Sequence, residues 1–278
     1  MKVELRYAHH PGDVKSYDTA RIRNEFLIET LFLPGEICLT YSMYDRYIVG
    51  GAMPTGASLK LEAFDALKAK DFLDRREIGI INVGGEASVT AGGVQYGLNY
   101  TEALYLGKGV TAVSFSSVDA KNPAKLYLNS APAHHAYPSK KVTVKEAEVA
   151  IMGSPGASNH RTINKLLINS VIETCGLQMG FTTLNPGSVW NTMPPHTHSR
   201  RMEVYFYFEV HKGQAICHFM GEPDETRHIW MKNEQAVISP SWSIHSAAGT
   251  SNYSFIWGMT GENLDYADMD IRQPDELK

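Results

Sequence analysis

His196 and His198 stand two residues apart, so on an extended chain both imidazoles face the same side and can aim at one point. Glu203 has the opposite parity, and one unbroken strand would turn it away. A bend through Ser199 to Arg201, with a second strand starting near Met202, would bring it back. A distant His245, in Ser241-Trp242-Ser243-Ile244-His245, completes a set of three imidazoles and one carboxylate. Such nitrogen and oxygen donors suit zinc, iron, nickel, copper or manganese, and the lack of cysteine argues against a closed structural zinc site. The plainer reading is a surface cluster of polar side chains. Against it stands Val204-Tyr205-Phe206-Tyr207-Phe208, too apolar for a surface strand. A buried Glu203 without a cation would be costly, so a metal centre is the better account.

Most of the chain reads as short strands cut by glycine turns. Arg76–Val83, Ala87–Ala91, Val94–Leu98, Ala103–Leu106, Val110–Ser116 and Ala124–Asn129 follow one another in the first half. Leu177–Leu184, Met202–Val210, Gln214–Met220, Thr226–Met231, Glu234–Ser239 and Tyr253–Met259 repeat the style in the second. This pattern predicts an all-β protein of sandwiches or barrels with few short helices. Thr19–Ile28 reads as a short helix or arm, and the apolar spacing over Ser58–Lys70 suits a helix or helical loop. Loop signals between about Ser130 and Asn164 place a boundary there. The expected divisions are an N-terminal arm over 1–45, a first barrel over 46–150 and a second, metal-binding barrel over 151–278.

The halves echo one another. Arg75-Arg76-Glu77-Ile78-Gly79-Ile80-Ile81 parallels Arg200-Arg201-Met202-Glu203-Val204-Tyr205-Phe206, and Glu102–Leu106 parallels Glu234–Ile238, as duplication would produce. The first copy carries Asp71-Phe72-Leu73-Asp74 where the second has its histidines, so it is expected to be degenerate and without metal. His134 and His135 are adjacent among Pro and Ala and read as loop residues; His160, His211, His218 and His228 lack partners at ligand spacing.

The length of 278 residues, 43% of them hydrophobic, allows a substantial core, and a formal charge of −4 without blocks of like charge points away from nucleic acid. No run approaches a membrane span and no apolar leader follows Met1, so a cytoplasmic protein is expected. Cys38, Cys175 and Cys217, odd in number and widely spaced, suit a reducing compartment, with Cys217 read as a small buried strand residue.

His196-x-His198-x4-Glu203, with Gly187 upstream, Gly213 downstream and a later Pro240-Ser241-Trp242-Ser243-Ile244-His245, resembles the two cupin motifs. It departs from them in a longer spacer after Gly187 and in Trp242, where glycine is usual. More narrowly, Arg161–Lys165, Trp190–Pro194, Glu203–Phe208, Gln235–His245 and Phe255–Met259, with Arg23–Leu27 and Ala103–Gly109 in the first half, are similar to the 5-keto-4-deoxyuronate isomerase family. The resemblance implies two cupin-like jelly-roll barrels and one zinc ion per chain on His196, His198, Glu203 and His245. It also implies a homohexameric cytoplasmic enzyme of pectin breakdown, a ketol-isomerase converting 5-dehydro-4-deoxy-D-glucuronate to 3-deoxy-D-glycero-2,5-hexodiulosonate.

An aldose-to-ketose shift moves a proton next to a carbonyl while negative charge develops on oxygen, and a divalent metal suits that demand. The residue that carries the proton is not identified by the sequence. Tyr205 and Tyr207 share the parity of Glu203 and face either the cavity or an aromatic core; Tyr207 is taken as a substrate-binding candidate. Arg161 is a candidate for the substrate carboxylate, with a structural ion pair as the competing role. Two other function classes remain at this level, a cupin dioxygenase using iron on the same ligands and a non-catalytic uronate-binding cupin. The expected partner is the small keto-uronate, with neither nucleic acid nor membrane.

Overall fold

The structure is a computed structural model that describes residues 1–262 and 264–278, and it is built mainly of strands. Two compact units interleave along the chain. Residues 1–6, 30–148 and 166–179 form the first, and residues 7–29, 149–165 and 180–278 form the second. The stretch expected as an arm is therefore shared out. Lys2–Arg6 pairs in parallel with Glu36–Ser42 in the first unit, while Leu27–Ile28 pairs with Gln235–Ser239 in the second.

The first unit has a seven-stranded sheet in the spatial order Lys2–Arg6, Glu36–Ser42, Ile48–Met53, Leu126–Pro132, Arg76–Asn82, Ala103–Leu106 and Lys140–Val142. Its smaller sheet runs Leu59–Lys60, Ser114–Ser117, Ala87–Ala91 and Val94–Leu98. The other seven-stranded sheet runs Glu148–Met152, Arg161–Leu167, Gln178–Leu184, Ser254–Gly261, Arg201–Phe208, Gln235–Ser239 and Leu27–Ile28. Trp190–Asn191, Ser246–Gly249, Ile216–Glu222 and Glu225–Met231 make its smaller companion, and His196–Thr197 forms a two-stranded ribbon with Asp270–Ile271. The architecture is all-β and cupin-like, with jelly-roll sandwiches of open sheets where closed barrels were expected.

The internal echo maps onto equivalent places. Arg76–Asn82 lies between Leu126–Pro132 and Ala103–Leu106, just as Arg201–Phe208 lies between Ser254–Gly261 and Gln235–Ser239. The two segments that resemble each other in sequence thus hold the same station in their sheets.

Helices are short. Thr19–Phe26 begins at Asp18, whose Oδ1 accepts from the Arg21 amide at 2.8 Å, and it buries Ile22 and Phe26. Ser58–Lys70 departs from the expected helix: it supplies the strand Leu59–Lys60 and one 3-10 turn, Asp65–Leu67. Leu59 and Leu61 alternate rather than recur every third or fourth residue, which is strand spacing. The loop-rich stretch after Ser130 also contains short strands, Lys140–Val142 and Glu148–Met152. Cys217 departs as well, being half-buried on the strand Ile216–Glu222.

Alternation along Arg76–Asn82 sends Ile78 and Ile80 into the apolar core of the first unit, with Leu39, Val89, Leu104 and Phe115. Glu77 and Gly79 take the other face. A Cβ on Gly79 would lie 2.4 Å from the Met179 sulfur, so only glycine lets residues 167–179 pack this closely. Glu77 is fully buried. Its carboxylate accepts from the Tyr105 hydroxyl at 2.7 Å and from the amides of Cys175, Gly176 and Leu177 at 2.8 Å each. Where Glu203 faces histidines, Glu77 is saturated by neutral donors. Glu77→Ala should strand those three amides and cost about 2–4 kcal/mol in denaturant unfolding. Metal content per folded chain should stay near that of the parent, as it should in Glu77→Gln; a change in stoichiometry in either variant would place metal in the first unit.

Candidate metal centre

Each of the four candidate ligands is delivered by a different local device. His196 sits in the ribbon opposite Ile271, directly after Pro194-Pro195, and the Met193–Pro194 peptide is cis. His198 follows, its amide donating to the Ser241 carbonyl at 3.1 Å. The chain bends at Ser199 and Arg200 and re-enters a strand at Arg201, which restores Glu203 to the histidine side, opposite Ser239 and Met259. His245 comes from the turn after Pro240. There the Ser243 amide donates to the Pro240 carbonyl at 2.9 Å, and the Ser243 hydroxyl accepts from the Gly221 amide at 2.9 Å. Trp242, in the place of the usual glycine, packs edge-on against Phe26 with ring centroids 6.3 Å apart, so the departure from the motif is absorbed by the Thr19–Phe26 helix.

The four side chains converge. Their donor atoms all lie within 4.8 Å of one another. His196 Nε2 and His245 Nε2 are 2.9 Å apart, His198 Nε2 is 2.7 Å from Glu203 Oε1, and His245 Nε2 is 3.6 Å from Glu203 Oε2. All are buried or nearly so. Burial, then repulsion from His245, pushes the His196 imidazole down to about 2, and burial takes His245 down to about 4, so both are neutral lone-pair donors at pH 7. Burial opposes ionisation of Glu203, but the surrounding histidines, His245 and His198 foremost, outweigh it and hold its carboxyl below the usual range. A buried anion beside the neutral imidazoles of His196 and His245 calls for a cation.

The outward nitrogens are also placed. His198 Nδ1 has two neighbours, the Asp268 carbonyl at 2.5 Å and Arg201 Nε at 3.3 Å; the carbonyl, much the nearer, can only accept, so it favours a proton on Nδ1 and an Nε2 lone pair turned inward. Nε2 is buried and, though 2.7 Å from Glu203 Oε1, is not aligned for a hydrogen bond. His245 Nδ1 is 3.3 Å from the Ser239 hydroxyl. These are the features of a divalent metal site with nitrogen and oxygen ligands.

Beside the cluster opens a cavity of about 240 Å³, lined by His196, Glu203, Arg161, Tyr205, Trp257 and Tyr266 among others. Arg161 reaches it from the strand Arg161–Leu167. Its Nη1 donates to the Asn159 carbonyl at 2.9 Å, and no carboxylate pairs with it among the described residues. Burial lowers its pKa. Tyr205 points in as well, 3.0 Å from the Thr192 hydroxyl, with burial holding its phenol well above its ordinary pKa.

Tyr207 does not reach this cavity. Two residues further along the same face, it lies in the core, its hydroxyl 2.7 Å from His218 Nδ1, so it is an aromatic core residue, and Tyr205 lines the cavity instead. His218, with no ligand partner in the sequence, is that buried companion. His134 and His135 lie in an exposed loop, His211 and His228 are exposed, and His160 is bonded to Asn185 at 2.8 Å. Reading the sequence missed Arg201 and the Asp265–Asp268 turn. Arg201 follows a second arginine at a strand start, which is a weak signal, and a backbone carbonyl gives no signal at all.

A family model described as the KduI/IolB family matches residues 35–275. The 4-deoxy-L-threo-5-hexosulose-uronate ketol-isomerase 1 of Bacteroides thetaiotaomicron is 64% identical over 275 residues, 99% of this chain and 98% of that relative. The enzyme of the same name from Formosa agariphila is 59% identical over 277 residues, covering 100% and 99%. Among solved structures, an IolB-like protein from Salmonella typhimurium superposes with a TM-score of 0.65 at 18% identity, covering 81% of this chain and 86% of that one. An oxalate decarboxylase of Lactobacillus farciminis gives 0.56 at 10% identity, covering 81% and 79%. At these identities the two structures speak for the fold alone.

Proposed function

The chain belongs to the KduI/IolB family, and on that footing we propose that it is the ketol-isomerase of 4-deoxy-L-threo-5-hexosulose-uronate, working with a divalent metal on His196, His198, Glu203 and His245. The proton on the hydroxyl-bearing carbon leaves, the aldehyde carbon receives one, and an aldose becomes a ketose in the breakdown of pectin-derived uronates. The observation that carries the reading is a single cavity lined both by two of the candidate ligands, His196 and Glu203, and by Arg161, whose guanidinium meets no carboxylate among the described residues. A keto-uronate has the two matching ends, a carboxylate and an aldehyde beside a hydroxyl.

When bound, the metal supplies Lewis-acid stabilisation for the negative charge that develops on the substrate oxygens. Arg161 binds the carboxylate and sets the direction in which the sugar lies. Tyr205, kept protonated by burial, can donate to a substrate oxygen. Phe255, Trp257 and Met259 line the cavity with apolar surface that excludes water. We take the metal to be zinc and the assembly to be a cytoplasmic homohexamer, following the family resemblance. Among the described residues no helix is long and apolar enough to cross a membrane.

Turnover in heavy water tests the reaction class. Product should carry deuterium at the receiving carbon whenever the abstracting group exchanges with solvent, and no oxygen should be consumed. A hydride shift would instead retain the original hydrogen in full, and oxygen uptake linked to turnover would sink the isomerase assignment.

A further inference from the structure

We propose that Arg201 is a positioning residue, and that the 264–278 segment it grips is a strap that locks the metal ligand His198 and forms one wall of the substrate cavity. This rests on the metal reading above. Arg201 is only 2% exposed, and among the described residues no carboxylate pairs with it. Its Nη groups are spent on backbone carbonyls, and its Nε lies 3.3 Å from His198 Nδ1. Nη1 donates to Asp265 at 2.5 Å, and Nη2 donates to Tyr266 at 3.1 Å and to Asp268 at 3.2 Å. These carbonyls converge because the segment turns there, with the Asp268 amide donating to the Asp265 carbonyl at 3.2 Å and the Ala267 amide to Asp265 Oδ1 at 3.0 Å. A planar fork of five N–H donors fits such a turn, whereas an ammonium does not.

The same turn presents the Asp268 carbonyl to His198 Nδ1. Beyond it, Asp270–Ile271 pairs with His196–Thr197, and the Arg272 amide donates to the Pro195 carbonyl at 2.9 Å. At its far end the Lys278 amide donates to the Pro223 carbonyl at 3.1 Å and the Thr226 amide to the Lys278 carbonyl at 2.8 Å. The strap therefore touches two of the four ligands, while Tyr266, Met269 and Ile271 line the cavity. Its described residues are half-buried or exposed, so apolar burial contributes little to holding it. Arg201 is a buried clasp on its turn. Without it, His198 is free to exchange tautomers and rotate, and the cavity wall loosens.

The test compares the parent with Arg201→Lys and with a chain stopped after Glu262. Zinc-loaded protein is challenged with a chromophoric chelator, KM and kcat are measured in excess zinc, and the His198 Nδ1 proton is followed by NMR, assigned by its loss in His198→Gln. Both variants should bind zinc about 10–100-fold more weakly. KM should rise severalfold with a smaller change in kcat, and the Nδ1 proton signal should broaden or vanish. The unfolding midpoint of metal-free Arg201→Lys should stay close to that of the parent, which a merely structural role would not allow. Parent-like zinc release and KM in Arg201→Lys overturn the proposal. If that variant does not fold, the same two measurements on the shortened chain decide. A parent protein that holds no metal would instead bring down the reading beneath both.

Discussion

Glu203→Gln should leave the protein folded, empty of metal and slower by at least about a thousandfold, since a bound divalent ion contributes several kcal/mol of transition-state stabilisation at about 1.4 kcal/mol per tenfold in rate. Glutamine keeps the shape and removes the anion that faces His198 at 2.7 Å. His196→Ala, His198→Ala and His245→Ala should behave alike, whereas His134→Ala and His135→Ala, in an exposed loop, should spare both metal and turnover. Metal analysis by mass spectrometry on the purified variants, alongside turnover, checks this. A full load after any one of the four changes removes that residue from the site. Metal-free protein supplies the internal control. There Glu203 is a buried anion without a cation, so metal-free Glu203→Gln should unfold at or above the midpoint of the metal-free parent. A large drop would show that the lost activity comes from a damaged fold.

Arg161→Ala should keep its metal and lose about 30- to 1000-fold in kcat/KM, mostly through KM. Breaking a partly desolvated ion pair with hydrogen bonds costs about 2–4 kcal/mol. Arg161→Lys should fall between, because a point charge replaces a bidentate fork. The decisive comparison uses a substrate whose carboxyl has been reduced to an alcohol. The parent should lose about as much on that substrate as Arg161→Ala does on the uronate, and the variant should be nearly indifferent to the change. An Arg161→Ala enzyme with an unchanged KM for the uronate would return this side chain to a structural role.

The convergence of the four candidate ligands was legible because strand parity is strict. Two residues apart means one face, an odd offset means the other, and Glu203 could join the histidines only through a bend, which the structure places at Ser199 and Arg200. Parity could not separate Tyr205 from Tyr207, since it reports the face of a strand and not the depth at which a cavity ends. The strand pattern was legible through glycine turns, and the internal echo held up as an equivalence of sheet position. Interleaving of the units was not legible. Leu27–Ile28 is a two-residue strand whose partner, Gln235–Ser239, is remote in sequence, and no local pattern marks so brief a pairing. The strap escaped for another reason: it acts through carbonyl oxygens, which every residue carries.

That remote pairing sets an order of assembly. Residues 30–148 form a long continuous part of the first unit and can gather their sheets while synthesis proceeds, with residues 166–179 arriving soon after to satisfy Glu77. The segment 7–29 has no such neighbour to hand. From the emergence of Ile28 to that of its partner Ala236, roughly 200 residues must be made, a delay of about 10–40 s at ordinary elongation rates. During that interval the apolar Phe26-Leu27-Ile28, at the end of an otherwise polar segment, stands without its sheet, a natural point of engagement for a chaperone. A metal bound at the proposed site would be a late arrival too, because His245 and the turn at Asp265–Asp268 leave the ribosome after every other part of that site.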